Sequence, residues 1–145
     1  MNPYKNLSEK NQLAITNLEF LFKALGDVNR LRMLALLMDA SLCVCELEVL
    51  LDMSQSNVSR HLSKLRGAGL IISTKDAQWA HYTFNTAFEN GNAELITYLR
   101  EQFNKHDEVL TAQSRLKKYH KNKLTCKDIG ESKEQVIEII RKGEV

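Results

Sequence analysis

The sequence of 145 residues has one proline, six glycines and no long hydrophobic run. No stretch approaches the roughly 18 apolar residues that a membrane-spanning helix needs, and the opening MNPYKNLSEKNQ lacks the apolar segment of a secretion signal. The three cysteines are an odd number, which argues against a disulfide framework, so we expect a cytoplasmic protein with reduced thiols. The sequence also lacks a Cys-x-x-Cys pair and a phosphate-binding glycine loop, and we therefore expect no enzyme.

The sequence also has no large excess of positive or negative charge. Lysine and arginine number 20 against 18 aspartate and glutamate residues, for a net charge of +2 at pH 7. This balance neither indicates nor excludes a nucleic-acid partner, because a basic face can coexist with acidic ones. With 43% hydrophobic residues the chain can bury one compact core. We predict one domain over residues 1–120 and a C-terminal tail over residues 121–145, with a short helix that begins at the capping box of Ser132 and Gln135.

Sparse proline and glycine favour helices, and apolar residues do recur at three- and four-residue intervals. A first helix is predicted from Leu7 to Ala24, after which Gly26 ends it and Asp27 caps the second helix. A long helix is predicted to begin at Asn92 and to continue to about Tyr119. Its apolar stripe includes Leu95, Leu99 and Phe103.

The period of the sequence changes after Gly69. LIISTKD and WAHYTFN are rich in β-branched and aromatic residues and are joined by a short polar connection, which predicts a two-stranded hairpin. His81 lies in the second strand, where we expect only a local hydrogen bond.

Two short segments precede the hairpin. Residues 43–53 are apolar, and Ser54 is suited to cap a helix from Gln55 to about Arg66. Helices in this order followed by a hairpin indicate a winged helix-turn-helix, a mainly α fold with a small β-hairpin wing, whose second motif helix enters the major groove. Without the hairpin, the same helix would be equally typical of a small helical bundle. Side chains suited to bases or phosphates are Ser54, Gln55, Ser56, Asn57, Ser59, Arg60, His61 and Lys64.

Four segments in one order carry a family resemblance: FKALGDVNRLRMLALL, LCVCEL, SQSNVSRHLSKLRGAGLI and QWAHYTFN. Together they resemble the ArsR/SmtB family of metal-responsive bacterial repressors, over about Phe22 to Asn85. The resemblance implies a homodimer that binds a double-stranded DNA operator when metal-free and releases it when metal binds. It also implies that the first helix and the long helix after the wing form the dimer interface.

Within this family, Cys-Val-Cys at the start of the supporting helix marks a branch that senses arsenite and antimonite and another that senses cadmium and lead. The matching residues here are Cys43 and Cys45, whose thiolates are soft ligands. Side chains at positions i and i+2 of a regular helix diverge, so both sulfurs reach one ion only if the first turn is distorted. The resemblance implies arsenite or antimonite as the inducer and no organic cofactor.

The resemblance has a gap. Arsenite sensors of the family have a third cysteine where this chain has Glu48, and residues 1–42, where the cadmium and lead branch adds cysteines, contain none. Cys126 is the only other thiol, and it could complete a three-sulfur site or have no ligand role. A cadmium- or lead-responsive repressor and a thiol redox sensor on the same scaffold remain alternatives.

Overall fold

The computed structural model describes residues 5–76 and 79–144, with side chains described for residues 15–75 and 79–144. Helices dominate this part of the chain. In order, the elements are α1 (Lys5–Leu25), α2 (Val28–Asp39), β1 (Leu42–Cys43), α3 (Val44–Leu51), α4 (Gln55–Gly67), β2 (Ile71–Asp76), β3 (Trp79–Phe84), a 3₁₀ turn (Thr86–Glu89), α5 (Ala93–Phe103), α6 (Asp107–Lys121), α7 (Cys126–Glu131) and α8 (Lys133–Arg141).

The wing is a three-stranded antiparallel sheet in the order β1-β3-β2. The hairpin of β2 and β3 confirms the sequence prediction, and with the helices it confirms a mainly α winged helix-turn-helix. Strand β1 was not predicted, because a two-residue strand shows no alternation. It pairs Leu42 with Tyr82 and Cys43 with His81, so that Cys43 belongs to the wing sheet.

Helix α2 is the centre of the core. Five consecutive residues, from Met33 to Leu37, are buried, because α2 packs against α3, α4, α6 and β3 on different sides. Its start is set by the Asp27 carboxylate, which accepts hydrogen bonds from the amides of Asn29 at 2.8 Å and Arg30 at 3.1 Å. No helix in the residues the structure describes is long and apolar enough to cross a membrane.

The prediction of a single long helix after the wing is wrong, because this segment forms two helices, α5 and α6. They are separated at His106, whose backbone is extended (φ −112°, ψ 125°). At 100° per residue, Phe103 and Val109 would point about 120° apart on a continuous helix. Both are buried and line the same groove beside α2. The break lets both side chains face α2. Leu99 and Phe103 are largely buried within the chain, and both line this groove.

The C-terminal segment contains two helices where the sequence predicted one. Helix α7 was missed because it has only six residues. Helix α8 is capped by Ser132, as predicted, and the Ser132 hydroxyl accepts from the Gln135 amide. Both helices pack against α3, and α8 also packs against α6. The buried residues of this segment are Ile129, Val136 and Ile140.

Candidate metal centre and nucleic-acid interface

Cys43 lies at the junction of the wing and helix α3. Its backbone is extended (φ −85°, ψ 167°), and helix α3 begins only at the next residue. The Cys43 amide donates a hydrogen bond to Glu46 Oε1 at 2.9 Å, which satisfies one of the free N–H groups at the helix start. Because Cys43 precedes the helix and Cys45 lies in its first turn, the two side chains are not forced apart as they would be inside a regular helix.

Three sulfurs meet at this junction. The Sγ atoms of Cys43, Cys45 and Cys126 all lie within 4.8 Å of one another, and those of Cys45 and Cys126 are 2.6 Å apart. Cys126 is the first residue of α7, so the third sulfur is supplied by the C-terminal segment. All three cysteines are free, Cys43 being buried and the other two half-buried. Three soft donors at this spacing suit a thiophilic ion.

Glu46 fixes the start of α3 at the thiol site. One carboxylate oxygen accepts from the Cys43 amide, and the other accepts from the Tyr119 hydroxyl of α6 at 2.6 Å. Tyr119 is 1% exposed, and burial together with the nearby Glu46 raises the pKa of its hydroxyl above the ordinary range. The phenol therefore stays protonated and keeps donating to Glu46.

Two thiols of the site, those of Cys43 and Cys126, have a pKa above the ordinary range of cysteine. Burial raises the pKa of Cys43 to about 11, and the charge of Glu46 acts in the same direction, although a hydrogen bond with Cys126 opposes them. Burial likewise raises the pKa of Cys126 above its ordinary range, helped by the hydrogen bond with Cys45 and the charge of Glu46. An ion that binds here must displace thiol protons.

The C-terminal end of α3 is held by arginines from three helices. Arg115 of α6 donates to the Leu50 carbonyl at 3.2 Å, and Arg32 of α2 donates to the Leu51 carbonyl at 3.4 Å. Arg141 of α8 forms an ion pair with Asp52 at 3.1 Å, and Asp52 ends α3 in the left-handed conformation (φ 55°). Helix α3 is thus contacted at both ends by the C-terminal helices. It packs directly against α4.

Helix α4 presents a polar face to solvent and an apolar face to the core. Val58, Leu62 and Leu65 are buried. The Ser54 hydroxyl accepts from the Asn57 amide and caps the helix, and the Arg60 guanidinium donates to the Asn57 side chain at 3.2 Å. Seven of the predicted DNA-contacting residues are exposed: Ser54, Gln55, Ser56, Asn57, Ser59, Arg60 and Lys64.

The prediction that His61 contacts DNA is wrong. His61 is 4% exposed, and its Nδ1 lies 3.2 Å from Arg30 Nη1 of α2. The reason is its helical position, because residues 58, 61, 62 and 65 follow the i, i+3, i+4, i+7 spacing of one buried face. Burial also lowers the pKa of His61, which favours a neutral ring packed inside the protein.

A family profile described as "Bacterial regulatory protein, arsR family" matches residues 27–73. The arsenical resistance operon repressor of Escherichia coli K12 is 42% identical over 77 residues, which are 52% of this chain and 66% of that protein. The cadmium resistance transcriptional regulatory protein CadC of Listeria innocua is 32% identical over 90 residues, which are 61% of this chain and 71% of that protein. The solved structure of reduced HlyU from Vibrio cholerae N16961 has a TM-score of 0.50 at 34% identity, covering 63% of this chain and 96% of that one.

The chain belongs to the ArsR family of bacterial regulatory proteins. ArsR-family proteins are DNA-binding transcriptional regulators and not enzymes, in agreement with the resemblance carried by the four sequence segments. The chain spans just under two thirds of the Escherichia coli repressor's length, at 66%. Its relatives are named for different ligands, arsenicals in one case and cadmium in another.

Three neighbours of the thiol site in this ArsR-family protein were not recognised in the sequence. Glu46 and Tyr119 are 73 residues apart, and their hydrogen bond leaves no periodic signal. His81 was expected to make only a local contact, but its Nδ1 lies 3.3 Å from Cys43 Sγ, 38 residues away in sequence. The one available signal was the position of His81 in the second wing strand, and it becomes informative only once β1 is known to pair with that strand.

Proposed function

We propose that this ArsR-family protein is a cytoplasmic, homodimeric repressor that releases a double-stranded DNA operator when trivalent arsenic or antimony binds Cys43, Cys45 and Cys126. The observation that carries the proposal is the approach of these three sulfurs to within 4.8 Å where α3 begins. The similarity to an arsenical resistance operon repressor supports the choice of inducer. The third sulfur comes from α7 and replaces the ligand that Glu48 cannot supply.

The chemistry of the exchange suits protonated thiols. Arsenous acid, As(OH)₃, exchanges each hydroxyl for one thiolate, and each displaced hydroxyl leaves with a thiol proton as water. Three As–S bonds form, three As–O bonds break, and arsenic stays trivalent, so that no oxidant or reductant is required. Antimonite reacts in the same way. The raised pKa of the Cys43 thiol is therefore no obstacle to this reaction.

Binding has to separate the sulfurs of Cys45 and Cys126. They are 2.6 Å apart, whereas bonds of about 2.3 Å hold two sulfurs on one ion more than about 3 Å apart. We propose that this separation shifts α7, and since α7 and α8 pack together and Arg141 of α8 contacts Asp52, such a shift would reach the turn that precedes α4. In this mechanism the inducer displaces the DNA-reading helix through its support.

The proposed DNA-binding surface is the exposed face of α4 together with the wing. Gln55, Asn57 and Arg60 are suited to base edges, and Ser54, Ser56, Ser59 and Lys64 to bases or phosphates. Two copies of α4 related by a dyad would meet successive major grooves about 34 Å apart on an inverted repeat.

The direct test is a titration of labelled operator with the purified protein and each candidate ion. We expect arsenite or antimonite to weaken operator binding by roughly 5–150-fold, the usual range of allosteric coupling, and cadmium and lead to act less strongly. Cys43→Ser and Cys45→Ser should bind operator normally but not release it with arsenite. Normal release by both variants would exclude the thiol site as the trigger.

Arg60→Ala tests the proposed DNA-binding surface separately from the thiol site. It should lower operator affinity by roughly 1–3 kcal/mol without changing the arsenic bound per protomer, because Arg60 lies on α4 away from the sulfurs. A loss of arsenic binding in Arg60→Ala would contradict the separation of the two sites.

A second candidate function is thiol redox sensing, favoured by the 2.6 Å approach of Cys45 and Cys126. Peroxide would oxidise the two thiols to a disulfide, taking two electrons and two protons and giving two waters. Release of operator by peroxide in the absence of any metal, blocked by Cys126→Ser, would favour this function. Unchanged operator binding under oxidation would exclude it.

A further inference from the structure

His81 is the residue through which the thiol site contacts the wing. Cys43 and His81 form a directly opposed pair of β1 and β3, and opposed residues of a sheet project from the same face. The ring follows this rule, since His81 Nδ1 lies 3.3 Å and Nε2 3.8 Å from Cys43 Sγ. Cys43 is 3% exposed, so this contact is largely sheltered from water.

We propose that His81 positions the Cys43 sulfur for the ion and transmits occupation of the site to the wing. A sulfur bound to an ion has no proton and can only accept a hydrogen bond, so the imidazole then donates to it through Nδ1. Partners that hold a metal ligand from outside the site orient it and affect its affinity for the ion. This inference rests on the proposed function, because it assigns Cys43 as a ligand.

The contact gives the site a second connection to the DNA-binding surface, separate from the α3 to α4 packing. Strand β3 pairs with β2 along its whole length, from Ile71–Phe84 to Asp76–Trp79, so a shift at His81 moves the hairpin. Trp79 is two residues from His81, and side chains two apart in a strand project from the same face. It is 49% exposed and is the sole tryptophan of the chain. Its fluorescence is therefore a specific probe of the wing.

The experiment measures Trp79 emission during an arsenite titration without DNA, together with the arsenic bound per protomer. In the wild-type protein we expect the emission to change in step with arsenic binding. His81→Leu should still bind arsenic through three sulfurs, but with affinity lower by about tenfold, the lower end of effects from such outer partners. Its emission change should be lost.

A pair of amide variants separates the hydrogen bond from the packing of the ring. His81→Asn places a donor nitrogen near the position of Nδ1 and should restore the affinity and the emission change. His81→Gln places it farther along the side chain and should not. His106→Leu, which alters an exposed histidine bonded to Gln102, is the control and should behave as wild type.

The results that would overturn the inference are separate from those that concern the proposed function. Wild-type protein that binds arsenic without any change in Trp79 emission excludes transmission to the wing. Equal affinity and emission change in His81→Asn and His81→Gln exclude the hydrogen bond. Wild-type protein that binds no arsenic at all refutes the proposed function itself.

Discussion

Single residues of the thiol site differ in how far the sequence reveals them. Cys43 and Cys45 are close in the chain, and their soft ligand chemistry could be predicted directly. Cys126 lies 81 residues beyond Cys45, so the sequence left it open, and only the packing of α7 on α3 brings the sulfurs together. His61 shows the converse error, because its polar side chain suggested DNA while its helical position places it in the core.

The raised thiol pKa predicts different pH dependences for the two classes of ion. A divalent cation such as cadmium releases thiol protons to solvent, and the pKa of Cys43 is about 11. Its affinity should therefore rise as the pH increases from 6 towards about 9, still below that pKa. Arsenite binding releases water instead of protons and should change little over this range. Isothermal titration of each ion at several pH values measures this, and a parallel increase for both ions would contradict the exchange chemistry.

At the scale of elements, the sequence predicted the features that depend on neighbouring residues, which are helix caps and the periodicity of helices and strands. The caps Asp27 and Ser54 were visible in the sequence, as were the periods of α2, α4 and the hairpin. Strand β1, the break before α6 and helix α7 were not, because they depend on packing. Phe103 and Val109 face α2 together only if the helix breaks, and no propensity in the connection required it.

Arg115 of α6 joins α3 to the segment that follows α8, and its loss should destabilise the fold. Its side chain is 11% exposed, donates to the Leu50 carbonyl and pairs with Glu144 through both carboxylate oxygens. We expect Arg115→Ala to lower the free energy of unfolding by about 1–3 kcal/mol, since a carbonyl and a carboxylate lose a charged donor. Denaturant unfolding measures the difference. Lys117→Ala, an exposed change in the same helix, should have little effect.

The same pair gives the destabilisation a pH dependence. The hydrogen bond and charge of Arg115 lower the pKa of Glu144 in the folded state. A lowered folded-state pKa contributes stability above the unfolded-state pKa, and this contribution is lost as the pH falls through the folded-state value. The difference between wild type and Arg115→Ala should therefore shrink in acid. A difference that grows in acid would contradict the ion pair.

At the scale of the whole molecule, apolar surface remains exposed where a second copy could cover it. Of the apolar stripe predicted after the wing, Leu99 and Phe103 are buried within the chain and Leu95 is half-buried. Tyr98 of the same helix is exposed and lines a groove with Val28. Helix α1 also exposes Ile15, Leu18, Phe20 and Phe22. Exposed apolar groups in this number are typical of an interaction surface.

Tyr98→Glu tests this surface. A charge in the groove would have to be desolvated in a dimer, so the variant should shift the protein towards monomer in sedimentation velocity and weaken operator binding. Thr97→Glu places the same charge at the adjacent exposed position and should weaken the dimer less. A Tyr98→Glu variant that remains as dimeric as wild type would show that the interface lies elsewhere.

X-ray absorption at the arsenic edge directly counts the sulfurs on a bound ion, and we propose that Cys43, Cys45 and Cys126 bind one trivalent ion together. We expect three As–S bonds and no As–O bond for arsenite bound to the wild-type protein. We expect two As–S bonds and one As–O bond for Cys126→Ser. Two sulfurs and one oxygen in both proteins would show that Cys126 has no part in holding the ion.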